Sequence, residues 1–222
     1  AGARLTVAAA GLTLRAPATH ATVALLDGGA QAYPRMLRAI ARARVCIHLE
    51  VYAFTATGVG GEFVAALVGA AGRGVRVEVE LDGWGSARDG RAIVATLADA
   101  GCTVRIYHRL RAVLRGQFGR NHRKVLVIDD ATAFIGGLNI GDENLAAAAG
   151  AGWADVALEL RGPAVARLAR QLRHEPPGPG ARDPRIWLSG HGGGRRLRDR
   201  LLAGRLSLPV VVRGECRTLP RE

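Results

Sequence analysis

The chain has 222 residues, of which 49% are hydrophobic and 5% aromatic, enough for one large domain or for one domain and part of another. No apolar run approaches the roughly 18 to 20 residues that span a bilayer, so the sequence predicts no transmembrane helix. The formal charge of +12 indicates attraction to nucleic acid, anionic lipid or a phosphate substrate, or else simply arginine on solvated faces.

The three cysteines are predicted to be reduced thiols. Cys46, Cys102 and Cys216 are odd in number, lie on apolar or terminal segments and lack the spacing of metal ligands. This pattern favours a reducing compartment. The sequence begins with Ala1 and its only methionine is Met36, so we expect a fragment of a longer protein, from which an upstream anchor could have been lost.

Predicted strands and helices alternate along the first half of the chain. Short strands are expected within residues 1–26. Apolar residues at helical spacing predict helices over 30–44, 61–73 and 91–100, and apolar, β-branched runs predict strands over 45–54, 75–81 and 102–107. This order favours an α/β fold, a mixed sheet flanked by helices on both faces.

The strand predicted over 45–54 carries polar residues on one face. His48, Glu50 and Tyr52 alternate with apolar residues, so they share a side of the sheet. Glu50, and Asp82 at the end of the next strand, lie where they could face a cleft. A basic segment over 110–120 follows the last of these strands and is a candidate lip over that cleft.

The stretch from Asn121 to Asn144 organises the rest of the chain. After Lys124, residues 125–128 are apolar and, apart from Leu126, β-branched, so a buried strand is predicted over 124–128, with a turn over 129–132 and a returning strand over 133–137. His122 and Lys124 are two residues apart and so project to one side. Asp129 has the opposite parity. Gly136 and Gly137 would let the backbone pass close to the site and bring Asn139 beside it.

Lys124 is the only lysine among 31 Lys and Arg residues. Lysine is a compact point charge, whereas arginine is a bulkier fork, so a lysine suits a position that a phosphoryl oxygen must approach closely. Chance retention of one lysine is the alternative.

The remaining elements complete one domain and begin another. A short helix is predicted over 142–149, a strand over 155–160 and a helix over 164–173. Residues 1–175 are therefore expected to form one domain, the Pro- and Gly-rich residues 176–185 a linker, and residues 186–222 the truncated start of a second, similar half.

The central stretch resembles the signature of the phospholipase D superfamily: His, one residue, Lys, four residues, Asp, six residues, then Gly-Gly/Ser-x-Asn. All these spacings are met by His122, Lys124, Asp129, Gly136, Gly137 and Asn139. The flanking sequence is most similar to the amino-terminal half of bacterial cardiolipin synthases, over about residues 20–175. The resemblance implies a phospholipase D-like fold, one full domain of that type followed by the start of a second.

The chemistry of a phosphodiester explains these residue types. His122, neutral at working pH, can attack phosphorus and form a phosphohistidine, Lys124 can neutralise an oxygen, and Asn139 can donate a hydrogen bond to the same phosphate. This chemistry requires no metal and no cofactor, and no ligand cluster is evident in the sequence.

Two aspartates are candidates for supporting roles. Asp155 lies in Trp-Ala-Asp, which resembles the family's Trp-x-Asp element that holds the far nitrogen of the histidine. An ordinary aspartate at a strand start is the alternative. The parity of Asp129 favours a structural brace at the strand end over catalysis.

The family uses two histidines, one to attack and one to protonate the leaving group, but only His122 here is followed by Lys at the second position. We therefore expect either a homodimer or second half that pools two motifs, or a chain inactive alone. The leading hypothesis is a phosphatidyltransferase that acts on anionic glycerophospholipids, peripheral to the cytoplasmic side of the bacterial inner membrane. Alternatives are a homodimeric phosphodiesterase or nuclease acting on DNA, and an inactive basic module that binds membranes or nucleic acid.

Overall fold

The computed structural model describes residues 7–8, 11–14, 22–107, 121–145 and 152–173, and within these residues it describes side chains from residue 22 onward, except at Ala164. The predicted lip over 110–120, the linker over 176–185 and the start of a second half over 186–222 lie outside these residues.

The described residues form nine strands, four α-helices and one short 3-10 helix. The helices are α1 (Gly28–Arg42), α2 (Val59–Gly72), α3 (Gly90–Asp99) and α4 (Pro163–Leu172), with the 3-10 helix at Asp142–Asn144. The strands are β1 (Val7–Ala8), β2 (Gly11–Leu14), β3 (Thr22–Asp27), β4 (Cys46–Val51), β5 (Arg76–Asp82), β6 (Thr103–Tyr107), β7 (Val125–Ile128), β8 (Thr132–Gly136) and β9 (Val156–Arg161).

All nine strands belong to one sheet in the order β1-β2-β3-β9-β8-β7-β4-β5-β6. The strands β4, β5 and β6 are parallel and are connected through α2 and α3, whereas every other neighbouring pair is antiparallel. The predicted mixed α/β sheet is therefore confirmed.

The sheet has a hydrophobic core on each face. Leu126 and Ile128 pack with α1, α2 and α3 in the larger core, and Val125 and Val127 pack with α4 in the smaller one. Side chains alternate across a strand, so the continuous apolar run of β7 can supply both cores. Helices on both faces are thus confirmed.

One predicted strand is shorter than expected. The strand predicted over 45–54 ends at Val51, because residues 53–55 leave the ladder and bind the segment after β8. Phe54 forms a parallel bridge with Ile140, whose carbonyl oxygen accepts the N–H of Thr55 at 3.0 Å. Of the helix predicted over 142–149, only the first four residues are described: residues 142–144 form a 3-10 turn, and residues 146–149 lie outside the described range, so the rest of the helix stays a prediction.

One edge of the sheet collects the ends of five strands. The carboxyl ends of β4, β5 and β8 lie there beside the amino ends of β7 and β9, because β4 and β8 run antiparallel to β7 and β8 also runs antiparallel to β9. Residues just outside these strands, His122 among them, therefore meet at this edge. We refer to this end of the sheet, which is formed by strand ends and not by an outermost strand, as the His122 edge.

The opposite edge contains the turn between β7 and β8. Asp129 and Asp130 have φ of 52° and 50°, a left-handed pair typical of a tight hairpin turn, closed by the Ala131 N–H to Ile128 carbonyl bond of 3.0 Å. The Asp129 carboxylate accepts the N–H groups of residues 44–46 at 2.8 to 3.0 Å at the start of β4. It therefore joins the turn to the neighbouring strand, far from His122.

These contacts predict that Asp129 contributes to stability and not to chemistry. Asp129→Gly tolerates positive φ but removes the carboxylate, so it should lower the free energy of unfolding by about 1 to 2 kcal/mol in urea titrations. Asp129→Ala should lose about 1 kcal/mol more, because alanine is strained at positive φ. A glycine variant as stable as the wild type would show that the carboxylate contributes nothing.

Candidate active site

His122 and Lys124 meet around the ring of Tyr52. The His122 ring lies 4.5 Å from the Tyr52 ring, centroid to centroid, and the Lys124 ammonium lies 5.2 Å from the Tyr52 centroid. The ammonium also donates to the His122 carbonyl oxygen at 3.1 Å. The structure thus brings the two predicted groups to the same aromatic ring, which lies at a favourable distance from the cation.

Their exposure differs in a way that suits their predicted roles. His122 is exposed, whereas Lys124 is only 6% exposed. Below Lys124 lies a small cavity of about 10 Å³ with mostly apolar walls, among them Met36 and Phe134. The lysine stem is therefore fixed by packing and its charge is delivered next to His122 in surroundings of low polarity, where Coulomb interactions are strong.

Asn139 is held at the same edge by two contacts. Its side-chain oxygen accepts the Ala53 N–H at 3.2 Å, and its carbonyl oxygen accepts the Tyr33 hydroxyl at 2.7 Å. Burial raises the pKa of Tyr33 above its usual value, so this hydroxyl remains a donor. Because the amide oxygen is used as an acceptor, the NH₂ group of Asn139 is the end suited to bind an anion.

The motif glycines adjoin β9. A Cβ on Gly136 would overlap the carbonyl oxygen of Val156, and a Cβ on Gly137 would overlap the carboxylate of Asp155. At these glycines the backbone passes close to the start of β9, whereas the close approach to the site stays a prediction. Here, a serine at position 137 would require Asp155 to move.

Asp155 lies at the His122 edge, beside Gly137. Its carboxylate accepts the N–H of Val156 at 2.8 Å, and its carbonyl oxygen accepts the N–H of Gly28 at 2.9 Å. Asp155 follows the exposed Trp153 by two residues in the chain. Its carboxylate lies against Gly137, in the segment that leads from β8 to Asn139. Its hydrogen bond to His122 stays a prediction.

Glu50 is buried beneath the site. It is 2% exposed, and its carboxylate binds His48 at 3.2 Å, the side-chain amide of Asn121 at 3.1 Å and the guanidinium of Arg123 at 3.2 Å. Burial by itself would raise the pKa of Glu50. The hydrogen bonds from His48 and Asn121 and the charge of Arg123 outweigh it and hold the pKa below its usual value.

Asp82 holds the same segment from the neighbouring strand. It is 1% exposed, and one carboxylate oxygen accepts the Asn121 N–H at 2.8 Å while the other accepts the N–H groups of Trp84 and Gly85. Glu50 and Asp82 were candidates for facing a cleft. The structure buries both and binds them to Asn121, the residue before His122.

Three residues that the sequence did not single out help to build this edge. Asn121 bridges Glu50 and Glu80, the latter at 2.7 Å; Tyr52 contacts both His122 and Lys124; and Tyr33 fixes the backbone of Asn139. The shared face of Glu50 and Tyr52 was a usable signal for Tyr52. Tyr33 carried none, since it matched the apolar stripe of α1.

Other candidate features lie elsewhere or are not found. A hollow of about 420 Å³ lies at the opposite edge, lined in part by Cys46, Arg76, Asp130 and Arg173. It is far from His122 along the strands. Within the described ranges, no group of three or more His, Cys, Asp and Glu side chains has the arrangement of a metal site, and no helix is long and apolar enough to span a membrane.

Solved structures with a similar fold show the class of protein to which the domain belongs. The fold matches the solved structure of Nuc from Salmonella typhimurium, a phospholipase D family member, with a TM-score of 0.54 and 25% identity over 69% of this chain and 90% of that one. NucT from Helicobacter pylori matches with a TM-score of 0.57 and 19% identity, over 69% of this chain and 94% of that one, which supports the fold alone. The fold is that of a phospholipase D domain.

Sequence matches then identify the family within this class of proteins. Residues 36–171 match the family described as cardiolipin synthase, PLD-like domain. Cardiolipin synthase B of Salmonella typhi is 40% identical over 149 residues, 66% of this chain and 36% of the relative. That of Escherichia coli K12 is 38% identical over 172 residues, 76% of this chain and 41% of the relative.

The chain therefore belongs to the cardiolipin synthase family of phospholipase D-like domains. It spans about two fifths of the length of these two relatives.

The environment of Glu50 predicts a pH-dependent contribution to stability. A depressed pKa means that ionised Glu50 stabilises the fold above its unfolded pKa of about 4.3, and that this stabilisation is lost as the pH falls through the lower folded pKa. Glu50→Gln should therefore lower the free energy of unfolding by about 2 kcal/mol at pH 7. The difference from wild type should shrink below about pH 4.

Urea titrations at pH 7 and at lower pH measure this difference. Glu62→Gln, at an exposed position on α2, is the matched control and should change stability by less than about 0.5 kcal/mol at either pH. A Glu50→Gln effect that stays constant with pH would contradict an ionised Glu50.

Proposed function

We propose that this chain supplies one half of a phosphatidyltransferase site of the cardiolipin synthase type. The observation that carries the proposal is the exposed imidazole of His122 beside the buried ammonium of Lys124, both in contact with Tyr52. Membership of the cardiolipin synthase family supports an anionic glycerophospholipid as the substrate.

In the proposed reaction His122 attacks the phosphorus of a donor such as phosphatidylglycerol. A P–N bond forms and the P–O bond to the glycerol headgroup breaks, while a second histidine protonates the departing alkoxide. The hydroxyl of a second phosphatidylglycerol then attacks the phosphohistidine and gives its proton to the same second histidine. His122 is regenerated, and the products are one glycerol and one cardiolipin.

Lys124 and Asn139 stabilise the charge of this transition state. A unit charge at ~4 Å from a phosphoryl oxygen contributes on the order of 4 kcal/mol at an effective dielectric near 20. The buried stem of Lys124 places that charge without reorganisation during the reaction, and the NH₂ group of Asn139 adds a hydrogen bond. Asp155 is proposed to orient the imidazole from the far side.

A phosphodiesterase of the same superfamily acting on DNA is the second candidate. Two observations favour it: the net charge of +12, and the coverage of 90% and 94% of the Nuc and NucT chains by this one domain. A phospholipase D fold of about this size thus occurs as a chain of its own. An inactive basic module is the remaining alternative.

Vesicles of phosphatidylglycerol and plasmid DNA distinguish these functions. We expect wild-type chain to release glycerol and cardiolipin in equal amounts, and His122→Ala to reduce turnover roughly 10³-fold or more by removing the nucleophile. His174→Ala, a histidine not followed by lysine at the second position, is the matched control. Labelled donor should leave acid-labile phosphate on the wild type and on the control only.

Nicked DNA without lipid product would favour the phosphodiesterase. Binding without turnover in either assay, at every chain concentration tested, would favour the basic module.

The single His-x-Lys pair predicts that activity requires two copies of the motif. If two chains pair across a two-fold axis, turnover per chain should rise with chain concentration, and the molar mass in solution should rise toward twice the 23.3 kDa of one chain over the same range. Light scattering and initial rates measure both. Full activity in a solution of monomers would show that one motif is sufficient.

We further propose that the chain works at a membrane surface, on the cytoplasmic side of the bacterial inner membrane. The support is the family's lipid chemistry and the positive net charge, which favours an anionic surface.

A further inference from the structure

We propose that Trp84 and Trp153 dock this domain on an anionic phospholipid bilayer, with the His122 edge facing the lipid. The inference builds on the proposed function, because it assigns to particular side chains the surface that presents the lipid substrate to His122.

The exposed apolar side chains are unevenly placed. Among the described residues, four large hydrophobic side chains are markedly exposed: Trp84 at 60%, Trp153 at 40%, Leu145 at 36% and Val45 at 64%. Single exposed apolar residues are ordinary. Here, however, Trp84 follows β5, Trp153 precedes β9 and Leu145 follows the 3-10 turn, so three of the four lie at the His122 edge.

The two tryptophans stand on either side of the catalytic candidates. Their strands, β9 and β5, are four steps apart in the sheet, with β8, β7 and β4 between them. At about 4.8 Å per step the strands are roughly 19 Å apart. His122, Lys124 and Asn139 belong to the strand ends in that interval, so a flat surface that touches both indoles covers the site.

The backbone holds both tryptophans in place. The Trp84 N–H donates to Asp82 at 2.9 Å, and its carbonyl oxygen accepts the Ala87 N–H at 3.2 Å. The Trp153 N–H donates to the Glu143 carbonyl at 3.0 Å, and its carbonyl oxygen accepts the Asn144 amide at 3.3 Å. A backbone that is already ordered loses less entropy on binding.

Each tryptophan is also connected to the site. In the Trp84 turn, Ser86 donates to the Tyr52 carbonyl oxygen at 3.0 Å, and Gly85 packs so closely that a Cβ would overlap the same oxygen. Tyr52 in turn contacts the His122 ring. On the other side, Asp155 is two residues from Trp153 and lies over Gly137. Docking through the indoles would therefore fix the height of His122 above the lipid headgroups.

The chemistry of this edge fits a bilayer interface better than a protein partner. Tryptophan has an apolar body and a polar N–H and prefers the headgroup region. The exposed Arg88, four residues after Trp84, adds a cation near it, whereas Asp142 and Glu143 near Trp153 are acidic. Of these two acidic side chains, Asp142 already accepts a hydrogen bond within the protein, from the Val59 N–H at the start of α2 at 2.8 Å. In protein interfaces the anchor residues cluster near the centre within a polar rim, whereas here two aromatic side chains flank a polar centre.

Fluorescence quenching tests the inference. Two chains, one that keeps only Trp84 and one that keeps only Trp153, have the other two tryptophans replaced by Phe, Trp187 being one of the two in each. They are mixed with phosphatidylglycerol vesicles containing lipids brominated on the acyl chains. We expect a blue shift and quenching for both. Val45→Trp in a chain otherwise free of tryptophan is the matched control, because Val45 is exposed at the opposite edge, and it should stay unquenched.

Vesicle sedimentation gives a second measure on variants of the intact chain. Trp84→Ala and Trp153→Ala should each weaken partition to phosphatidylglycerol vesicles by about tenfold. Hydroxyl-radical footprinting of the unmodified chain should show protection of both indoles on vesicles, which tests the proposal even if a substituted chain folds poorly.

Several results would overturn the inference: no quenching or protection of the indoles, an effect at only one of them, equal quenching of the Val45→Trp control, or a response to single-stranded DNA and not to vesicles. Failure here is separable from failure of the proposed function. Cardiolipin formation without quenching would refute the docking surface alone, and quenching that persists in a chain without turnover would refute the function alone.

Discussion

The ion network around a carboxylate buried in the sheet positions the rest of the site. Glu50 is almost fully buried between β5 and β7, and it binds Asn121 and Arg123 on the segment that enters β7. Because a buried carboxylate is costly unless it is paired, these bonds fix the segment in one arrangement. His122 lies between the two bound residues, so the network determines where the imidazole emerges.

The ammonium group of Lys124 is also held in a fixed position. Lys124 belongs to the apolar pattern of β7 by parity and is nearly as buried as its neighbours, yet its ammonium reaches the His122 carbonyl and the Tyr52 ring. A lysine held in this way can act on an anion without first leaving water. The sheet thus provides a charge that is fixed in position, beside a histidine that remains accessible.

The signature aspartate has a separate task. Asp129 lies at the far end of β7 and closes a left-handed turn by binding three N–H groups at the start of β4. It therefore holds in register the two strands whose opposite ends carry Tyr52 and His122. The motif therefore contributes residues to both ends of the strands, His122 and Lys124 at the His122 edge and Asp129 at the opposite edge.

The sequence by itself determined the strand and helix order through residue 107, the hairpin of β7 and β8, and the pairing of His122 with Lys124. These are local features, set by side-chain periodicity and turn chemistry, and they need no knowledge of distant contacts. The motif spacing likewise identified the family, because it is a property of a short stretch.

Only the tertiary structure decided what surrounds that pair. Strand order is set by long-range pairing, which placed β9 next to β8 and β7 next to β4 and so brought Asp155 beside Gly137 and Tyr52 beside His122. The burial of Glu50 and Asp82 followed from the same pairing, because a polar side chain on a strand faces a cleft or a neighbouring element according to what packs over it. No periodicity in the sequence contains that information.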